Sequence, residues 1–171
     1  MSDKKVRKLV VSALMAALTY VATMVIRIPS PMDGYVNLGD CFVLLSGWLL
    51  GPWYGGAAAG IGSMLTDLLS GYGYYAPGTF VIKGLDALVA ALIFKAMGRT
   101  SVAAIVSGVV GEIIMVVGYF GYAALLLGKG IGAAASIPGN LVQAVMGLAI
   151  GLILFTLLKR SKALDKLALQ C

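Results

Sequence analysis

Apolar residues run along this chain in six blocks, parted by short breaks that carry glycine, proline or charge. The blocks are 6–26, 38–50, 54–69, 77–97, 102–127 and 137–158. A helix rising about 1.5 Å per residue needs about 20 residues to cross hydrocarbon, so the pattern predicts an all-α polytopic membrane protein with six transmembrane helices. The whole chain, 1–171, reads as a single membrane domain. Pro29, Pro31 and Gly34 end the first block, Gly51 and Pro52 the second, and Gly71 and Gly73 the third, where backbone chemistry favours a break. Blocks two and three are short, which suits a tight turn between them at one membrane face.

Composition turns this pattern into a statement about solvent. Apolar types make up 60% of 171 residues and charged types 12%, against about 25% charged in an ordinary soluble domain. That surplus has no interior large enough to hide in, so the outer surface is apolar as well. The absence of histidine excludes His-ligated metals and Ser-His or Cys-His catalytic groups. Cys41 and Cys171 cannot build a disulfide framework. No catalytic residue, metal or cofactor is assigned, and no G-x-x-x-x-G-K-[ST] run is present to bind ATP.

The basic residues give orientation. Lys4, Lys5, Arg7 and Lys8 precede the first block, Lys95 and Arg99 follow the fourth, and Lys159, Arg160, Lys162 and Lys166 follow the sixth. Six spans put all three groups on one side, leaving Arg27 and Lys129 opposite, so both termini are expected to be cytoplasmic. The net charge of +6 then reflects topology and lipid headgroups, and nucleic-acid binding is not needed to explain it. The first block is longer than the h-region of a signal peptide and reads as a retained helix. Residues 159–171, with Leu164, Leu167 and Leu169 among basic residues, read as a cytoplasmic tail, interfacial or solvated.

Small residues mark close helix contacts. Gly47 with Gly51, Gly56 with Gly60, and Gly147 with Gly151 are expected to pack within the molecule. Ala13 and Ala17, with Ser12, Ala16 and Ala22, give the first helix a flat face whose partner is either internal or a second protein. Trp48 and Trp53 read as interfacial belt residues. Tyr119, Phe120, Tyr74 and Tyr75 offer surfaces for stacking, and an outer aromatic belt is the alternative for Tyr72, Tyr74 and Tyr75.

Ionisable groups at membrane depth mark cavities, pathways or pairs. They are Asp40, Asp67, Lys83, Asp86 and Glu112, joined by Asn37, Asn140 and Gln143, and nearly all fall in the outer half, above an apolar inner half. Lys83 and Asp86, at i and i+3, can pair on one helix face. Glu112, Met115 and Tyr119 share a face, as do Asn140 and Gln143. The expected substrate-binding set is Glu112, Asn140, Gln143, Tyr119, Lys83, Asp67, Tyr75 and Asn37, suited to a small aromatic heterocycle. A pocket open on one side with no route through predicts a binding subunit whose cargo something else releases inward. The alternative is a stand-alone proton-coupled secondary carrier using Asp67, Asp86 and Glu112. It lacks an internal repeat and polar groups along the inner half. An intramembrane enzyme would lack a nucleophile.

The stretch from Tyr35 to Lys83, YVNLGDCFVLLSGWLLGPWYGGAAAGIGSMLTDLLSGYGYYAPGTFVIK, with GEIIMVVGYFGY and IPGNLVQ further on, resembles the S component of energy-coupling factor (ECF) transporters of the riboflavin type. The similarity runs from about Lys8 to Lys159. It implies a high-affinity membrane subunit without enzymatic activity that captures a water-soluble vitamin or precursor of the riboflavin, pyridoxine or thiamin-pyrimidine class. It also implies partnership with a transmembrane coupling subunit and two cytoplasmic ATPase subunits, docking through the AxxxA step matched by Ala13 and Ala17. A gating loop is implied at Pro29 to Val36, and cargo release by toppling of the subunit in the membrane.

Overall fold

The computed structural model describes residues 3–30 and 34–161. The expected tail beyond Ser161 and the tip of the expected gate, 31–33, lie outside the described residues. Six α-helices are present among them: α1 (Asp3–Val25), α2 (Asp40–Leu50), α3 (Pro52–Leu69), α4 (Ala76–Ala96), α5 (Ser101–Gly121) and α6 (Ile137–Arg160). The helix ends follow local chemistry. Gly51, at φ 81°, closes α2 in a conformation that favours glycine, and Pro52 opens α3 at once. Proline also stands in the first turns of α4 and α6. The Thr100 hydroxyl accepts from the Ala103 N–H at 3.0 Å and caps α5.

Two departures from an all-helical expectation lie at the same end of the bundle. The segment read as a gating loop forms an antiparallel hairpin, β1 (Arg27–Ser30) against β2 (Gly34–Asn37), with Arg27 opposite Asn37 and Pro29 opposite Tyr35. Pro29 is tolerated because a two-stranded ribbon consists of edges. Beyond α5 the chain passes through a π-turn, Tyr122–Leu126, and a 3-10 segment, Gly130–Ser136, before α6. The fifth block thus does not continue as one regular helix to residue 127.

Four helical stretches among the described residues are long and apolar enough to cross a membrane: 5–25, 76–96, 101–126 and 130–160. α2 is an 11-residue helix buried along its length except at Phe42. It is enclosed by its neighbours, which explains an apolar block too short to span. Glycines set the close approaches. A Cβ at Gly47 would collide with the Ala87 carbonyl, one at Gly62 with the Ala16 carbonyl, and one at Gly60 would lie 2.7 Å from the Phe80 carbonyl. The expected glycine packing is internal on these helices, whereas Gly51 serves the turn.

The end opposite the hairpin is an apolar layer in which Leu45, Leu49, Leu50, Ala90, Phe94, Ala104 and Phe155 cluster. Trp48 belongs to this layer and not to an interfacial belt, which corrects the sequence reading. It is 6% exposed, packs edge-on to Phe155 at 5.5 Å, and donates its indole N–H to Ser107 Oγ at 2.9 Å. Trp53, at 78% exposure, does lie on the surface.

Candidate functional site

The hairpin end holds a cavity built from every helix except α2, with β2 as one wall. α1 contributes Thr23, β2 contributes Tyr35 and Asn37, α3 contributes Ser63 and Asp67, and α4 contributes Thr79 and Lys83. Tyr119 enters from α5, Asn140 and Gln143 from α6, Ser136 from the 3-10 segment, and Tyr72 and Tyr75 from the α3–α4 connection. All these positions lie at or near the ends of their helices that meet the hairpin, so one set of helix termini makes the cup. The cavity offers about 60 Å³ to the centres of water-sized groups.

Two hydrogen-bonded chains of side chains organise it. In the first, the Asn37 backbone N–H and Nδ2 both donate to Gln143 Oε1 at 3.0 Å, and Gln143 Nε2 donates to Asp40 Oδ2 at 2.8 Å. Asp40 also forms a buried ion pair with Lys83. Asn37 Oδ1 accepts from the Gly39 N–H at 2.8 Å, which ties the hairpin to the start of α2. In the second chain, the Tyr35 hydroxyl donates to Asp67 Oδ1 at 2.6 Å and Thr79 Oγ1 donates to Asp67 Oδ2 at 2.5 Å. The Tyr119 hydroxyl donates to Thr79 Oγ1 at 3.1 Å. Burial and the adjacent Asp67 carboxylate hold the Tyr35 phenol well above its ordinary pKa, so it stays a neutral donor.

Aromatic rings line the upper wall. Tyr75 meets Tyr119 at 6.4 Å in an edge arrangement and Tyr122 at 6.0 Å, while Tyr35 meets Tyr72 at 5.1 Å. The Lys83 ammonium sits over the Tyr119 ring at 5.6 Å, and the Lys129 ammonium over Tyr75 at 5.4 Å.

The structure brings Asn37, Asp67, Tyr75, Lys83, Tyr119, Asn140 and Gln143 into one lining. It leaves Glu112 out. Glu112 lies with Asp86 beneath the cavity, both fully enclosed, and neither carboxyl has a hydrogen-bond partner among the described residues. The pair that spacing allows between Lys83 and Asp86 is not the ion pair formed: the ammonium crosses to Asp40 on α2. Asp86 packs instead against the space that Gly111 leaves open on α5. Thr23, Tyr35, Ser63, Thr79 and Ser136 are lining residues that the sequence reading did not select. Thr79 stands one turn before Lys83 and Ser63 one turn before Asp67, so the i, i+4 rule on each helix could have found them. Ala13 and Ala17 are exposed on the outer side of α1, while Ala16 on the same helix meets Gly62 of α3.

Comparison with known proteins gives this arrangement a context. Residues 3–160 match the family model described as "ECF-type riboflavin transporter, S component". An uncharacterized protein of Pyrococcus woesei is 44% identical over 133 residues, covering 77% of this chain and 87% of that protein. A thiamine precursor transporter of Lactococcus lactis is 26% identical over 168 residues, covering 96% of this chain and 95% of that protein. Among solved structures, the S component of a bacterial ECF transporter superposes with a TM-score of 0.75 at 22% identity, covering 91% of this chain and 97% of that one. The S component for biotin from an ECF-type ABC transporter gives 0.61 at 20% identity, covering 91% and 95%. The fold is therefore that of a multi-pass membrane S component, and with the family model spanning nearly its full length, the chain belongs to the S-component family of ECF-type riboflavin transporters.

Proposed function

We propose that this chain captures a water-soluble vitamin or vitamin precursor in the cavity at its hairpin end and releases it inward only with a coupling module. The observation that carries the reading is the division of the molecule into two ends. The hairpin end gathers hydroxyls, amides, a carboxylate and an ammonium around a cavity, and the opposite end is packed apolar side chains around Trp48. A carrier that works alone needs polar groups that can be reached from both faces. The positive-inside rule supports placing both termini in the cytoplasm and the hairpin outside.

In this reading Asn37, Asp67, Tyr75, Lys83, Tyr119, Asn140 and Gln143 contact the ligand, and the hairpin with the Tyr72–Tyr75 connection closes over it. Ala13 and Ala17, facing outward on α1, form the docking face for a transmembrane coupling subunit that carries two cytoplasmic ATPases. The L. lactis relative and the biotin S component support a vitamin-class cargo. Mass spectrometry of small molecules that co-purify with the full chain tests the capture step. A stoichiometric vitamin or precursor, lost on Gln143→Ala substitution, is expected. Its retention in that variant would refute the placement of the ligand in this cavity.

A further inference from the structure

The relay of side chains that runs from the hairpin to Lys83 has only one possible direction at every step. Asn37 Oδ1 accepts from the Gly39 backbone N–H at 2.8 Å, so Asn37 Nδ2 is the atom left to face Gln143. Gln143 Oε1 accepts from that Nδ2 and from the Asn37 backbone N–H, both at 3.0 Å. A backbone N–H cannot accept, so the oxygen of the Gln143 carboxamide has to point toward β2. Its nitrogen then points to Asp40 Oδ2, 2.8 Å away, and an ionised carboxylate only accepts. Asp40 Oδ1 takes the Lys83 ammonium, which only donates.

Asp40 is fully buried and stands outside the cavity lining, yet the direction of the whole relay depends on it. Each of its oxygens meets a donor, one from α4 and one from α6. An amide in place of this carboxylate would have to give Lys83 its oxygen and turn an N–H toward Gln143 Nε2, donor against donor. Rotating the Gln143 amide to relieve that conflict sets its nitrogen against both donors of Asn37. Either arrangement costs a buried hydrogen bond at the base of the hairpin, where Asn37 pairs with Arg27. The rest of the ribbon is seated from that base. Tyr35, two residues outward on the same face, donates to Asp67. α6 meets the ribbon again at Gly139, where a Cβ would lie 3.2 Å from Ser30 Cβ.

We propose that Asp40 is a positioning residue for ligand capture: by fixing the direction of the Gln143 carboxamide, it seats the hairpin over the cavity. The inference rests on the cavity being the capture site, and it is tested without added ligand so that the two can fail separately. A two-stranded ribbon is marginally stable on its own, so its amides report whether it is seated. Hydrogen–deuterium exchange of the β1 and β2 amides is followed by mass spectrometry on the purified full chain in lipid nanodiscs, with the amides of α5 as reference. Asp40→Asn is expected to speed hairpin exchange at least about tenfold relative to α5, the factor that one lost buried hydrogen bond gives. Asp40→Asn combined with Gln143→Glu moves the carboxylate one step along the relay. The new amide then donates to the new carboxylate, whose other oxygen still accepts from both Asn37 donors, and Lys83 keeps an oxygen at position 40. Hairpin exchange in this double variant is expected to return to within about threefold of the unsubstituted chain. If Asp40→Asn alone does not fold, the double variant decides, because it is expected to fold and to protect the hairpin. Unchanged hairpin exchange in Asp40→Asn, equal acceleration in the hairpin and α5, or a double variant that leaves the hairpin unprotected or does not fold overturns the inference. Any of these leaves vitamin capture standing. Restored protection with no vitamin or precursor co-purifying with the unsubstituted chain would keep the relay and remove the capture that it serves.

Discussion

Lys83 illustrates how a buried charge is placed by its distant partner and not by its nearest one in sequence. Spacing along α4 allows a pair with Asp86, but α2 brings Asp40 to the ammonium and Gln143 of α6 completes that carboxylate's shell. Removing one member of a buried pair leaves the other uncompensated, at a cost of about 3–5 kcal/mol. Lys83→Met is therefore expected to lower thermal stability in detergent sharply, and Lys83→Met with Asp40→Leu to recover a large part of it. No recovery would mean that the loss does not come from an uncompensated Asp40 carboxylate. The same geometry separates two residues that the sequence placed together. Asn140 lines the cavity and its carboxamide makes no hydrogen bond among the described residues, so Asn140→Ala is expected to weaken ligand binding about tenfold, the value of one hydrogen bond in a site. Glu112→Gln, one layer down, is expected to leave affinity within about twofold. Titration calorimetry on both variants reads the difference. Asn37, Asp67, Lys83 and Gln143 stand out in the sequence as polar groups within or beside apolar blocks, and the structure brings all four into the cavity lining, but helical spacing sees only one helix at a time. The Asp40–Lys83 contact, 43 residues apart, has no local signature.

At the scale of elements, glycine decides which helices touch. Gly62 of α3 lies under the Ala16 carbonyl of α1, so Gly62→Val forces those helices apart and is expected to cost about 1–3 kcal/mol or more through overpacking. Gly121 has nothing within 4 Å of where a Cβ would stand, so Gly121→Ala is expected to be neutral or slightly stabilising in the same melting assay. A comparable loss at both positions would contradict this assignment of the close contact to Gly62. α1 presents two faces: Met15, Thr19 and Thr23 turn inward, and Ala13 and Ala17 outward. Ala13→Trp with Ala17→Trp is therefore expected to preserve ligand binding and abolish uptake by cells that carry the coupling module. Uptake at the unsubstituted rate would exclude this face as the docking surface. The hairpin was not legible because its strands are four residues long and one carries Pro29, a pattern that reads as a turn. Tyr35 and Asn37 acquire their roles only once that ribbon folds over α3 and α6.

The whole molecule is a cup on an apolar base, and the base was legible in outline. Apolar blocks two and three were too short to stand alone, and the structure accounts for the second by wrapping α2 in its neighbours, where Trp48 fills the layer with Phe94 and Phe155. An indole near a turn looks interfacial in sequence; only the packing of α4 and α6 around it reveals a core residue. Polar groups gathered at one end, above packed apolar side chains, predict dependence on partners. The most direct measurement is accumulation of labelled ligand by cells expressing this chain alone, compared with cells that also express a transmembrane coupling subunit and its ATPases, at equal levels of chain in the membrane. The account predicts surface binding without accumulation in the first case and ATP-dependent accumulation in the second. Robust accumulation by the chain alone, driven by a proton gradient, would contradict it.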